Sequence, residues 1–296
     1  MINIFYSKDW KDYELLDTGE GEKLEKFGPY SFVRPYEDAV WSKTLKNGEW
    51  EKIDGKFWSS KVGAKAGWKM ENKKIEDKWE MEYKGIKFLA SPTPFRHLGF
   101  FPEQASHWDF IETRLRQGSD GQRKIKFLNL FGYTGVASLF ALRAGVEVTH
   151  LDASKQTLNW AKENQKLNAE LAKAPMRVIE DDAIKFLERE EKRGNKYDAI
   201  IMDPPKFGRG PKGEVWKIEE MLPKLLTSVR KVLSDKPLFV ILTSYAIDSS
   251  SLSLKYALSE TMKDFKGNTE SGELCVLEKS NSRIIPLANT AVWSRI

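Results

Sequence analysis

Three apolar runs, each ending in a residue suited to a ligand site, follow one another in fixed order along this chain. Phe127-Leu128-Asn129-Leu130 leads into Phe131-Gly132-Tyr133-Thr134-Gly135. Val148-Thr149-His150-Leu151 leads into Asp152, and Ala199-Ile200-Ile201-Met202 leads into Asp203-Pro204-Pro205-Lys206. Short apolar runs separated by amphipathic segments read as strands of a parallel sheet, buried on both faces and joined by helices. Such a sheet binds ligands in the crevice beyond the carboxyl ends of its strands. The three endings therefore constrain both the architecture and the position of any site.

From Lys126 onward the alternation is regular. Strands are expected at Lys126–Leu130, Glu147–Leu151, Met176–Ile179, Tyr197–Met202 and Pro237–Thr243. Helices are expected at Val136–Ala144, closed by Gly145, and at Ser154–Asn168, where Ser154 is a suitable cap. Further helices fall at Ala183–Arg193, Glu219–Leu233 and Leu252–Phe265, and closing strands at Leu274–Leu277 and Thr290–Trp293. This is an α/β chain: a Rossmann-like, doubly wound, mostly parallel sheet over residues 122–296.

Residues 1–90 differ. They carry Trp10, Trp41, Trp50, Trp58, Trp68 and Trp79, and turn signals recur at Asp17-Thr18-Gly19, Phe27-Gly28-Pro29, Lys46-Asn47-Gly48 and Ile53-Asp54-Gly55. Short strands and tight turns follow, a small β-rich N-terminal domain with a hairpin tip expected at Leu45–Trp50. Its tryptophans serve a core or a stacking surface. Residues 91–121 form a connector, with helical spacing from Ser106 to Arg116 and an end at Gly118–Gly121.

Composition excludes several classes of protein. One cysteine among 296 residues forbids an internal disulfide, and three histidines without metal-ligand spacing argue against a zinc site. No metal is expected. No apolar stretch approaches the roughly 20 residues of a membrane span, and the first residues carry no signal-peptide core. A cytoplasmic protein is expected. The net charge of +5 permits an anionic partner without requiring one. Oligomeric state is not legible.

The turn after Leu130 holds Gly132 and Gly135, but Ser138 where a dinucleotide fingerprint needs its third glycine. A pyrophosphate cradle is poorly served; a phosphate-free adenosine cofactor needs fewer glycines. Asp152, twenty residues after Gly132, suits the two hydroxyls of a ribose. Asp182 suits an adenine amino group, with Asp181 its neighbouring competitor. Asp203-Pro204-Pro205 offers a carboxylate and rigid carbonyls for a planar, amino-bearing ring. The loop Lys206–Lys217 mixes cations, aromatics and glycines, as RNA-holding loops do.

Asn129, Phe131, Tyr133-Thr134-Gly135, Asp152, Asp182 and Asp203-Pro204-Pro205-Lys206-Phe207 together resemble the motifs of class I S-adenosylmethionine-dependent methyltransferases, over about 120–250. They are most similar to the bacterial 23S rRNA enzymes that modify cytosine C5 or guanine N7. The resemblance implies S-adenosyl-L-methionine held by Gln104, Asn129, Phe131, Gly132, Thr134, Gly135, Asp152 and Asp182. It implies methyl transfer at Asp203, Pro204 and Lys206, with RNA, in particular rRNA, as the partner. Gly99-Phe100-Phe101-Pro102-Glu103-Gln104 resembles the family's segment that helps cover the cofactor.

The cytosine-C5 members carry a nucleophilic cysteine after the fifth strand, where this chain has Leu242-Thr243-Ser244-Tyr245-Ala246. Tyrosine is a poor substitute for a thiolate, and Cys275 in Leu274-Cys275-Val276-Leu277 reads as a buried small hydrophobe. Rival readings are a protein or small-molecule methyltransferase, a non-catalytic RNA-binding module that retains the cofactor site, and a dehydrogenase.

Overall fold

The computed structural model describes residues 3–8, 10–58, 66–118, 124–245 and 250–295. The first part of the chain holds β1 (Asn3–Phe5), β2 (Tyr13–Gly19), β3 (Glu22–Phe27), β4 (Tyr30–Pro35), α1 (Asn47–Glu51), β5 (Gly55–Trp58), β6 (Gly67–Met70), β7 (Trp79–Tyr83) and β8 (Ile86–Ala90). A 3-10 turn, Pro102–Gln104, precedes α2 (Ala105–Gly118). Then come β9 (Lys126–Leu130), α3 (Val136–Arg143), β10 (Glu147–Asp152), α4 (Lys155–Leu167), β11 (Met176–Glu180), α5 (Ala183–Lys192) and β12 (Ala199–Met202). The chain ends through β13 (Phe207–Arg209), β14 (Val215–Lys217), α6 (Ile218–Val232), β15 (Phe239–Ser244), α7 (Ser251–Thr261), β16 (Gly267–Leu277) and β17 (Ile284–Arg295).

The chain divides into two compact units. The larger takes in β1, Ser106–Leu274 and Leu287–Ile296; the smaller takes in Tyr6–Ala105 and Cys275–Pro286. Neither is contiguous, so the units depart from a division at 90 and 121. β1 joins the large sheet, the chain leaves the larger unit after Leu274, and it returns at Leu287. The expected connector end at Gly121 and domain start at 122 lie outside the described residues.

The larger unit is built on an eight-stranded sheet in the order β1-β16-β17-β15-β12-β9-β10-β11. Strands β15, β12, β9, β10 and β11 run parallel, and β17 pairs antiparallel with β15. Every residue of β12 and β15 is buried, as is β9 after Lys126, which is why these strands read as unbroken apolar runs. The helices present an apolar stripe to the sheet. Ala183, Ile184, Phe186 and Leu187 of α5 and Leu225, Leu226, Val229 and Val232 of α6 join Leu128, Ile200 and Val240 in one core. The chain proceeds from β9 to β10 on one side and from β12 to β15 on the other, so the sheet's switch point lies between β9 and β12.

Two strands run longer than sequence patterning allows. β16 starts at Gly267 and β17 at Ile284, well before the apolar stretches Leu274–Leu277 and Thr290–Trp293. Buried Thr269 and Ser271 interrupt the hydrophobic signal in β16, residues 284–289 of β17 are mostly not buried, and Gly272 admits β1 so closely that a Cβ would lie 1.8 Å from the Asn3 carbonyl oxygen. Residues 206–217, read as a loop, form the hairpin β13–β14.

The smaller unit contains a five-stranded sheet, β2-β3-β4-β5-β6, and the hairpin β7–β8. The expected hairpin tip at Leu45–Trp50 is instead the helical turn α1. Tertiary anchoring overrides the Asn-Gly turn signal here. The buried Asp17 carboxylate accepts from Thr44 N, Leu45 N and Trp50 Nε1, drawing Trp50 onto Leu24 and Val33. Trp79 stacks on Phe32 with centroids 5.8 Å apart, whereas Trp58 is 51% exposed. Among the described residues no helix is long and apolar enough to cross a membrane.

Candidate active site

Strand register decides which chain segments meet. Leu130 of β9 pairs with Leu151 of β10 and with Met202 of β12, while Asp152 pairs with Glu180 of β11. The residues that close these strands therefore line one sheet edge in the order Asp181-Asp182, Asp152, Phe131–Gly135, Asp203. At about 4.8 Å per strand, Asp182 and Asp203 are separated by roughly 14 Å along that edge.

The turn after β9 is strained and firmly held. Phe131 (φ 57°), Tyr133 (φ 52°) and Gly135 (φ 83°) all occupy the left-handed region. For the two aromatic residues this costs on the order of 1 kcal/mol each and persists only where the surroundings over-determine it. Those surroundings are explicit. Gly132 N donates to Leu151 O (2.9 Å), Tyr133 N to Asp152 Oδ2 (2.9 Å) and Gly135 N to Gly132 O (3.0 Å). The buried Asn164 of α4 donates from Nδ2 to Thr134 O (2.9 Å). Gly135 is the N-cap of α3, whose first N–H groups open toward the same edge.

The two glycines serve different ends. Gly135 supplies positive φ. At Gly132 the close approach is to His150: a Cβ would lie 2.3 Å from its Cε1 and 2.5 Å from its Nδ1. His150 belongs to none of the motifs that mark the site in the sequence. It is fully buried on β10, and burial pushes its pKa down to about 4, against the opposing pull of Asp152, so the ring is neutral at pH 7. Asn129 Nδ2 donates to Ser138 Oγ (3.0 Å), which is 3.0 Å from His150 Nδ1; His150 Nε2 is 3.3 Å from Tyr133 O. The chain is satisfied in one direction only: Ser138 donates to Nδ1, and Nε2–H donates to the turn carbonyl. Asn129 and Ser138 thus act on the turn through His150. The signal available in the sequence was a lone histidine inside an apolar strand, two residues before the strand-end acid.

The acids are differently engaged. Asp152 is half-buried, and its Oδ1 accepts from Ser154 N (2.9 Å) while Oδ2 takes Tyr133 N, so the carboxylate is oriented by backbone alone. Asp181 is ion-paired to Arg189 and accepts from Asp182 N. Asp182 caps α5, accepting Lys185 N at Oδ1 (3.0 Å).

Asp203, half-buried, and Pro204, buried, follow β12 directly. Of the two proline carbonyls, that of Pro205 is taken by Trp216 Nε1 (2.6 Å). Lys206 is exposed, and its carbonyl accepts Ile218 N (3.0 Å). The β13–β14 hairpin is fastened over this segment. Trp216 is buried against Phe131, centroids 4.9 Å apart, and Glu214 binds Lys185 Nζ at 2.6 Å. The Lys185 hydrogen bond and backbone N–H groups hold the Glu214 carboxyl down to about 2.

The larger unit thus brings Asn129, Phe131, Gly132, Thr134, Gly135, Asp152, Asp182, Asp203, Pro204 and Lys206 to one sheet edge. Gln104 lies on the 3-10 turn of the smaller unit and is buried. Tyr245 follows β15 half-buried, and Ala246 lies outside the described residues. Cys275, buried, belongs to the smaller unit.

A family model described as Conserved hypothetical protein 95 matches residues 113–241. A protein of Shewanella frigidimarina named Ribosomal RNA large subunit methyltransferase K/L is 33% identical over 186 residues, 62% of this chain and 24% of that protein. Ribosomal RNA large subunit methyltransferase K of Neisseria meningitidis serogroup B is 28% identical over 195 residues, 64% of this chain and 52% of that protein. The chain therefore spans about a quarter and about half of these two curated relatives. The crystal structure of a SAM-dependent methyltransferase from Agrobacterium tumefaciens superposes with a TM-score of 0.93 at 41% identity, covering 99% of this chain and 94% of that one. With likeness over nearly the whole of both chains, and a class I sheet order that places the glycine turn and three acids at one edge, the chain belongs to the S-adenosylmethionine-dependent methyltransferases.

Proposed function

We propose that this chain transfers a methyl group from S-adenosylmethionine to a nitrogen of a base in large-subunit rRNA, in the cytoplasm. The observation that carries the reading is the placement of Asp203-Pro204 beside the Phe131–Gly135 turn at the switch point. The curated relatives named as rRNA large subunit methyltransferases support the substrate class.

The donor set suits this cofactor. Its ribose hydroxyls and adenine amino group need acceptors, and the edge offers Asp152 and then Asp182 one strand further out. Asp181 is committed to Arg189, which favours Asp182 at the adenine. The carboxylate of the methionine moiety needs N–H groups, and the first turn of α3 supplies them. When bound, S-adenosylmethionine supplies an electrophilic methyl group on a sulfonium. Asp203 and the Pro204 carbonyl accept hydrogen bonds from the amino edge of the base and so fix its lone pair in line, with Lys206 steering a phosphate or the ring. Attack by cytosine C5 needs a strong covalent nucleophile, and Tyr245 stands where the cytosine-C5 members carry their cysteine. Attack by nitrogen, whose lone pair is already nucleophilic, needs no covalent enzyme–base intermediate.

The decisive comparison is nucleoside mass spectrometry of rRNA from a strain lacking the gene and from the same strain carrying it. One N-methylated nucleoside is expected to disappear and return. A missing 5-methylcytidine would overturn the nitrogen assignment, and unchanged rRNA would overturn the substrate class in favour of a protein or small molecule.

Asp152→Ala removes a ribose acceptor and the partner of Tyr133 N. Hydrogen bonds to charged groups contribute roughly 1.5–3 kcal/mol each, so S-adenosylhomocysteine affinity is expected to fall about 10- to 100-fold by calorimetry. Unchanged affinity would remove Asp152 from the cofactor site.

A further inference from the structure

The β13–β14 hairpin has two unlike faces. Its register pairs Phe207 with Lys217, Gly208 with Trp216 and Arg209 with Val215. Strand alternation sends the Gly208–Trp216 pair inward, where Trp216 is 4% exposed and locked to Phe131 and Pro205 O. The other two pairs face outward, with Phe207 56% and Val215 49% exposed. The hairpin's one acid, Glu214, is neutralised by Lys185. Lys217 shares Glu220, whereas Arg209 and Lys212 have no ion-pair partner among the described residues. The outer face is therefore an exposed aromatic ring among uncompensated cations, on a rigid two-stranded support that begins one residue after Lys206.

An exposed phenylalanine that nothing in its own unit covers needs a flat apolar partner, and uncompensated cations beside it need anions. We infer that this outer face docks an unpaired stretch of the RNA substrate next to the methylated base. Phe207 stacks on a base, while Arg209, with Lys212 on the adjoining turn, holds neighbouring phosphates. The stretch is unpaired because a base face is open to a side chain only outside a continuous helix. The inward lock on Phe131 and Lys185 ties this docking surface to the cofactor turn, so the bound strand is held at a fixed distance from Asp203. The inference rests on the RNA reading above and specifies which part of the RNA the enzyme grips.

The test uses the full chain and a fluorescein-labelled RNA of about 20 nucleotides, single-stranded or annealed to its complement, across a salt series. Wild-type protein is expected to prefer the single strand. Phe207→Ala is expected to weaken single-strand binding about tenfold with an unchanged salt slope, and Phe207→Trp to retain it. Arg209→Ala is expected to reduce the slope of log affinity against log salt by about 0.7, the signature of one lost phosphate contact. S-adenosylhomocysteine affinity reports that each variant is folded. Equal binding of duplex and single strand, or variants that bind as wild type does while wild type still methylates rRNA, would overturn the docking surface alone. No RNA binding and no change in rRNA on gene deletion would overturn the substrate reading together with it.

Discussion

Asp203→Ala is expected to lower kcat for rRNA methylation by about 10²–10³-fold while S-adenosylhomocysteine affinity stays within about twofold of wild type. The size follows from what the carboxylate does at the switch point. In the proposed reaction this half-buried strand-end carboxylate accepts from the N–H edge of the base, and removing one such preorganised group typically costs 10²–10³ in turnover. The independence from cofactor affinity follows from position. Asp203 closes β12, whereas Asp152 and Asp182, the proposed ribose and adenine acceptors, follow β10 and β11, one and two strands beyond the β9 turn. Asp203→Asn keeps an acceptor oxygen without the charge, and an intermediate loss is expected. Single-turnover transfer of labelled methyl to rRNA from the deletion strain, alongside calorimetry, separates the two quantities. A parallel fall in cofactor affinity would move Asp203 from base orientation to cofactor binding.

The parts of this architecture legible in the sequence are those set by local physics. Strands β9, β12 and β15 bury both faces, so each reads as a largely apolar run. Ser154 caps α4 by accepting Thr157 N, and Gly145 follows α3 with positive φ. Because a class I sheet puts its ligands at strand ends, locating the ends located the acids. What escaped depends on residues distant in sequence. β1 joins the large sheet only because Gly272, 269 positions away, has no side chain to exclude Asn3. Trp50 forms a helical turn because Asp17 holds it. The role of His150 becomes visible only once β10 is beside the turn, where a buried neutral ring links Ser138 to Tyr133 O. The Lys206–Lys217 segment reads as cationic and aromatic, but its division into a locked inner face and an exposed outer one depends on Phe131 and Lys185.

Glu25→Ala is expected to destabilise the smaller unit by about 3–5 kcal/mol. The Glu25 carboxylate is fully buried on β3 and receives both Arg34 Nε and Nη2 at 2.7 Å and Tyr13 Oη at 2.9 Å, with Lys23 Nζ at 3.3 Å. Arg34 also donates to Arg96 O, tying β4 to the segment that leads to the Pro102–Gln104 turn. Removing the carboxylate takes from buried Arg34 and Lys23 their hydrogen-bonded counter-charge and leaves them only the coulombic pull of Glu103, and under-compensated buried charge is the costly outcome. The same site predicts an acid dependence. Burial alone raises a carboxyl pKa, but Arg34 and Lys23 outweigh it and hold Glu25 down to about 2, against an ordinary value of 4.5. A depressed folded-state pKa gives stability that is fully present above the unfolded value and is lost as pH falls toward the folded one. Wild-type protein is therefore expected to lose on the order of 3 kcal/mol between about pH 4.5 and pH 2 from this group. Urea titrations at neutral pH and through that window, followed by tryptophan emission, measure both effects. Glu25→Gln is expected to flatten the Glu25 contribution to the acid limb. An acid limb as steep in Glu25→Gln as in wild type would assign that loss to other carboxylates.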